Sequence, residues 1–473
     1  MKPISIQDIV TVTGGTLLQG DASLLVVNVT TDSREAKDGT LFVPIVGERR
    51  DGHEFIPSVF EQGAVCTFTE REKPQTEAGV YIRVENSLQA LQDLAAWYRN
   101  LFSAVTVIGV TGSVGKTTTK EMIAAVLEKK YRVLKTYGNM NSQIGLARMM
   151  FELDDEIEVA VIEMGISEHG EMDRLVHIAR PELAVLTNVG MSHIGNLGSR
   201  ENICIEKSKI ITCFPKDGTL YVCSNGDGRE MAERCIDTSI CEDGNCQFVY
   251  YGTENNPDCI AENITVSGTH MKFIYRRREN GDTHEEIRLS VLGEHNVNNA
   301  VIALCLGERF HVPMSQMKEA LFSYQPLKMR GDVLTHNGYT VIDDTYNAST
   351  DSIISGLSSL FDRAGGNRSI AVLADVLELG EFSKEAHERV GEFLLEQEKK
   401  GRILTELVTF GENSALICNL VKEKKSRIHT CHFDDKEELI RHMKEIVRED
   451  DVILVKGSRG MAMDKVVKAL VEE

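Results

Sequence analysis

The sequence predicts an α/β protein of three domains: a small N-terminal α/β domain, a central phosphate-loop domain with a mostly parallel sheet, and a C-terminal Rossmann-like α/β domain. Three observations carry this reading. The chain has 473 residues, and domains average about 150 residues. Short, continuous apolar runs recur between helix-forming stretches, the pattern of buried parallel strands covered on both faces. One of these runs opens directly into a glycine-rich loop followed by Lys-Thr-Thr.

Taken in order, residues 1–84 read as short strands with one or two helices, and Asp51-Gly52-His53 marks a tight turn. A helical pattern over 86–102, with Leu88, Leu91, Leu94, Ala95 and Tyr98 on one face, bridges into the central domain. The central domain is expected over 85–313. Its strands are read at 103–110, 159–165, 182–190 and 219–223, with a helix over 116–130. Residues 247–292 change to alternating runs around Asn280-Gly281, a hairpin signal. A helix is expected over 296–307. The C-terminal domain, 314–473, shows strands at 339–344, 369–375, 406–411 and 451–457. A helix is read over 383–400, with Ser383 as its N-cap and Gly401 beyond its end. There is no G-x-G-x-x-G fingerprint, so dinucleotide binding is not supported.

Composition narrows the function. Lysine and arginine number 52, aspartate and glutamate 72, for a net charge of −20. So acidic a chain is unsuited to general binding of nucleic acid or anionic membranes. No apolar run reaches the ~18 residues of a membrane span, and the first residues carry no signal-peptide pattern. A cytoplasmic protein, without stable membrane insertion, is expected. The 11 cysteines then read as reduced thiols. The densest group, Cys235, Cys241, Cys246 and Cys259, matches no paired zinc spacing.

GVTGSVGKTTT (109–119) is the strongest motif. Strand before and helix after place backbone N–H groups and a helix N-terminus around a phosphate. Gly112, Ser113 and Gly115 form the loop, with Thr118 at its end. Lys116 supplies the charge for the β/γ-phosphates and Thr117 a hydroxyl for magnesium. The strict pattern wants glycine at 110, where this chain has Val110. The loop alone leaves kinase, ATPase, GTPase switch and ligase open. Glu163 ends the next strand, and Asn188 and His193 follow another, at the sheet edge where ligands bind. Singly, Glu163 reads as a solvated or capping carboxylate and His193 as a loop histidine; beside the loop they read as a magnesium site.

With these residues in view, the chain resembles the Mur ligases over nearly its whole length. TGSVGKTTT resembles their ATP motif, EMG (Glu163) and TNVGMSH (His193) their metal-ligand motifs. IEKSKI places Lys207 where the family carries a carbamylated lysine. GEHNVNN, with His295, Asn296 and Asn299, resembles the adenine-side motif. Arg330 of MRGD, and Asp344, Tyr346 and Asn347 of IDDTYNAS, stand where the family's C-terminal domain meets its ligands. Within the family, TTDSR (Ser33, Arg34) followed by DGTLFVPIVGERRDGHEF, KTYGNMNSQIG (Asn139, Asn141) and ADVLELGEFSKEAHERVG resemble the branch that adds D-alanyl-D-alanine. The departures are Val114 in place of a frequent asparagine, Ser142-Gln143 in the substrate loop, and Ala147 in place of proline.

The resemblance implies ATP and two magnesium ions as cofactors, the second ion held through a carbamate on Lys207. It implies UDP-N-acetylmuramoyl-tripeptide and D-alanyl-D-alanine as substrates, an acyl-phosphate intermediate, and a monomer. Lys116, Lys207 and His193 would be catalytic. Ser33, Arg34, Asn139, Asn141, Tyr346 and Asn347 would meet the substrates, and Asn188 the nucleotide. Alternatives are a Mur-type ligase adding a single amino acid, a folylpolyglutamate-synthase-like ligase, against which the TDSR segment argues, and a nucleotide switch without synthetic activity.

Overall fold

The computed structural model describes residues 1–47, 50–242, 244–268, 270–278 and 284–472. Three large sheets organise it, beside a two-stranded antiparallel pair of Ile4–Ser5 and Leu25–Val26. The N-terminal sheet runs Thr16–Gln19, Val80–Arg83, Ala64–Thr69, Thr40–Phe42, Asn28–Thr30, parallel except for its first pair. The helix Ser87–Asn100 follows, its N-terminus capped by the Asn86 side chain, which accepts from Gln89 N–H at 2.8 Å. It packs at once on the N-terminal helix Ile6–Thr13 and on central helices Gln143–Met150 and Glu171–Ala179. It is therefore the bridge its apolar stripe predicts. Arg99, at its end, is buried. It donates to the carbonyls of Ala179, Phe102 and Val105 and to Glu182.

The central sheet has nine strands. From one edge they are Glu285–Leu289, His270–Arg277, Cys259–Ser267, Gln247–Gly252, Thr219–Cys223, Leu183–Leu186, Thr106–Thr111, Val159–Glu163 and Val133–Lys135. The last seven pair in parallel and the first three antiparallel. The expected hairpin is thus part of a three-stranded extension; its Asn280-Gly281 turn lies outside the described residues. Several expected strands are shorter than read, two of them by the most. The first starts at Thr106 because the chain turns between Leu101 and Val105, where backbone bonds close successive turns. The other stops at Leu186 because Thr187 and Asn188 bend toward the glycine-rich loop. Helix Met314–Ser323, just past the expected boundary at 313, packs on Lys116–Leu127 and Glu294–Arg309. We therefore place the division between central and C-terminal bodies after Ser323.

The C-terminal sheet runs Asp332–His336, Tyr339–Asp344, Val452–Lys456, Ser369–Ala374, Glu406–Phe410, His429–Phe433, with only the first pair antiparallel. Ser383 is not an N-cap as expected. A 3-10 turn at Gly380–Phe382 runs straight into the helix Ser383–Lys399, and the Ser383 hydroxyl bonds the side chain of Asn413 instead. No helix among the described residues is long and apolar enough to cross a membrane.

Candidate active site

A cleft of about 660 Å³ lies between the carboxyl ends of the central strands and the C-terminal sheet. On its floor the loop after Thr106–Thr111 enters helix Lys116–Leu127. Gly112 has φ +145°, and a Cβ there would lie 1.9 Å from Thr187 Oγ1, so the position admits only glycine. Gly115, at φ +83°, is the N-cap residue and provides no side-chain cap. The first-turn amides therefore lack side-chain partners, the state in which a helix N-terminus receives an anion. The loop backbone is clamped from the neighbouring strand end. Val114 N–H donates to Asn188 Oδ1 (2.9 Å), and Val114 C=O accepts from Thr187 Oγ1 (2.6 Å) and Asn188 Nδ2 (3.0 Å). These bonds use only the main chain of residue 114, which explains why valine serves where asparagine is frequent. Asn188 thus braces the loop, its side chain bonding both main-chain groups of Val114.

Lys116 Nζ lies over the loop, donating to Gly112 C=O at 2.9 Å. Burial lowers its pKa, an effect Arg330 reinforces and Glu163 opposes. Thr117 Oγ1 donates to Glu163 Oε2 (2.8 Å), and Asn141 Nδ2 donates to Glu163 Oε1 (2.9 Å). Thr136 Oγ1 accepts from Glu163 N–H. Asn141, expected to meet substrate, lines the cleft and also orients Glu163. The hydroxyl and carboxylate form a compact set of hard oxygen donors, the chemistry magnesium selects. His193 sits in the left-handed region, φ 62°, and its Nδ1 pairs with Glu378 of the C-terminal domain at 2.9 Å. Burial, and then the charge of Lys207, depress its pKa, so the ring is held neutral with a lone pair to offer.

Lys207, on helix Arg200–Ser208, is 1% exposed. Burial first, and then the charge of Lys116, push its pKa well below the ordinary lysine range. It lies behind the cleft lining rather than in it.

Above the floor, His295, Asn296 and Asn299 come from the first turns of helix Glu294–Arg309 and line the cleft. Asn299 Oδ1 accepts from Thr119 Oγ1 at 2.9 Å, tying this helix to the loop helix. Burial brings the His295 pKa down to about 4. From the C-terminal side, the Arg330 guanidinium stacks 3.8 Å over the Tyr346 ring. Asp344 Oδ2 pairs with Lys456 Nζ at 2.6 Å; Lys456 also donates to Asn347 C=O at 3.0 Å. Ser113, Thr118, Tyr346 and Asn347 line the same cleft.

Three expected substrate residues lie outside it. Ser33 and Arg34 form a 3-10 turn with Glu35 in the N-terminal domain, Arg34 pairing with Asp32. Asn139 is exposed on the loop before Asn141. The sequence reading missed Lys456, Glu378 and Asp351. Lys456 had a usable signal: a lone cation closing an apolar strand, VILVK. Asp351 had none, since its role is the interdomain bond it accepts from Met191 N–H.

The cleft and its floor define a nucleotide-dependent α/β enzyme built on a phosphate loop. The chain belongs to the Mur ligase family. It matches the Mur ligase middle domain over residues 110–307, the Mur ligase glutamate ligase domain over 329–459 and the Mur ligase family catalytic domain over 25–99. It is accordingly an ATP-dependent ligase. It is 35% identical to the UDP-N-acetylmuramoyl-tripeptide--D-alanyl-D-alanine ligase of Bacillus subtilis, across 99% of this chain and 98% of that protein. It is 30% identical to the Escherichia coli ligase of the same name, across 96% of each. Among solved structures, MurF from Acinetobacter baumannii superposes with a TM-score of 0.89 at 27% identity, covering 100% of both chains. MurF from Thermotoga maritima in complex with ADP gives 0.80 at 29%, covering 93% of this chain and 96% of that one.

Proposed function

We propose that this chain joins D-alanyl-D-alanine to UDP-N-acetylmuramoyl-tripeptide at the expense of ATP, in the synthesis of peptidoglycan precursors. The observation that carries the reading is the uncapped N-terminus of helix Lys116–Leu127 beside the Thr117–Glu163 pair, in a cleft closed by Arg330, Asp344 and Lys456. The near full-length likeness to ligases bearing that name selects the substrates.

In this reading the peptide carboxylate attacks the γ-phosphorus of ATP, and ADP departs. The D-alanyl-D-alanine amine then attacks the acyl phosphate; phosphate leaves as the amide forms. An anion must approach a polyanion, so charge neutralisation is the main demand. The first-turn amides and Lys116 hold the phosphates, and Arg330 faces them from the C-terminal side. Asn141 and Thr136 fix Glu163. Magnesium would be held by Thr117, Glu163 and His193, with a second ion at a carbamate on Lys207, and would neutralise phosphate charge. Carbamylation requires a neutral amine, and the depressed pKa of Lys207 favours that form. Asp344, held by Lys456, takes the ribose. Closure of the C-terminal domain excludes water from the acyl phosphate. Ser33, Arg34 and Asn139 then serve the nucleotide-sugar substrate beyond the cleft. The use of ATP supports a cytoplasmic setting.

The test is phosphate release with ATP and magnesium. Release should require both the nucleotide tripeptide and D-alanyl-D-alanine. Running lysine- and diaminopimelate-containing tripeptides in parallel identifies the acceptor. Turnover with a single amino acid in place of D-alanyl-D-alanine, or release without any acceptor, overturns the proposal.

A further inference from the structure

We propose that Glu406, Cys431 and His442 form a zinc site on the outer edge of the C-terminal sheet. One donor atom from each residue lies within 4.8 Å of the other two. The arrangement follows from topology. Strands Glu406–Phe410 and His429–Phe433 run parallel, with Val408 opposite Cys431. Alternate residues of a strand share a face, so Glu406 and Cys431 project to the same side, one step apart. His442 descends onto that face from helix Lys436–Ile446, its ring 5.1 Å from that of Phe433.

A second observation points to a missing partner. His442 Nε2 is shut off from water and has no hydrogen-bond partner. An orphaned buried polar atom is costly, and native structures keep few of them. Coordination of a metal ion through Nε2 would satisfy that nitrogen. The donor set decides which metal. Thiolate, imidazole and one carboxylate suit borderline-soft zinc and not magnesium, which takes oxygen. Zinc bonds of about 2.0–2.3 Å in a tetrahedron put donors roughly 3.3–3.8 Å apart. The observed spread needs only a small side-chain adjustment to reach that. Binding releases the Cys431 thiol proton to solvent, and water takes the fourth position. None of the three residues lines the catalytic cleft, so this site is separate from the magnesium donors. An ion here ties the edge strand, its neighbour and helix Lys436–Ile446 together.

Cobalt(II) added to the full-length protein is the probe, because cobalt–thiolate bonds absorb in the near ultraviolet and oxygen-ligated cobalt in the cleft does not. The expected result is a charge-transfer band saturating at one equivalent, displaced by zinc and lost in Cys431→Ser. His442→Gln and Glu406→Gln should each weaken cobalt binding by about tenfold or more. Retained ATP-dependent ligation in the variants shows that they are folded. Absence of the band overturns the proposal. So does a band that survives Cys431→Ser, which would place the metal on another of the 11 thiols. Should Cys431→Ser not fold, unchanged affinity in the other two variants overturns it equally.

Discussion

Replacing Lys456 by methionine tests how the C-terminal domain holds Asp344. Lys456 and Asp344 are register partners on adjacent parallel strands. The ammonium is almost fully buried, and the carboxylate 2.6 Å away is 23% exposed. Methionine fills much of the same volume but leaves Asp344 without its cation and the Asn347 carbonyl without its donor. Breaking a fully buried pair costs about 3–5 kcal/mol. Asp344 reaches water at the cleft edge, so about 2–3 kcal/mol is the expected loss. For a domain of this size that lowers Tm by roughly 5–10 °C. On the proposed ribose contact of Asp344, the freed carboxylate also loses its fixed orientation, and KM for ATP should rise about tenfold, the equivalent of one charge-assisted hydrogen bond. Thermal unfolding of Lys456→Met, Asp344→Asn and the double variant gives the coupling directly. A Tm equal to the parent's, with coupling below about 0.5 kcal/mol, would refute the argument.

Three further outcomes are expected. Lys116→Ala should fold but lose on the order of a hundred-fold or more in ligation, measured by phosphate release, since it removes a main cation facing the phosphates. Lys207→Ala should be nearly inactive and partly restored by added short carboxylic acids; a plain structural lysine predicts no response to acid. His295 is held neutral with a pKa of about 4. The unfolded chain therefore binds more protons between about pH 6.5 and 4, and native stability falls as pH falls through that window. His295→Gln should remove on the order of 2–3 kcal/mol of that acid sensitivity, read as a flatter dependence of denaturant midpoint on pH.

Much of the architecture was legible because buried parallel strands are written as apolar runs: VAVIE, ELAVL and VILVK each reappear as strands. The loop motif was legible because Gly112 and Lys116 serve a local geometry. What escaped depends on residues far apart in sequence. Val133–Lys135 is too short to show a period. That Asn188 clamps Val114 and Asn141 orients Glu163 was not legible, because each bond joins residues far apart in the chain. The interdomain partners Asp351 and Glu378 carry no local signature, since each is one acidic residue among many until the domains meet.

The bridging helix Ser87–Asn100 has a consequence for motion. The N-terminal and central bodies are joined through apolar packing around Tyr98 and Phe102, with Arg99 tied to three backbone carbonyls. Parting them would expose a core. The C-terminal body meets the central one through an apolar contact of Ile194 and Leu197 with the turn Gly380–Phe382, and through polar bonds: Asp351 accepts from Met191 N–H and Glu378 pairs with His193. Such contacts at a partly wet boundary are each worth about 1 kcal/mol or less. These polar bonds are the weaker part of that boundary. We expect opening of the cleft to fall on the C-terminal side, while the N-terminal body, sharing the bridging helix with the central one, stays with the phosphate loop.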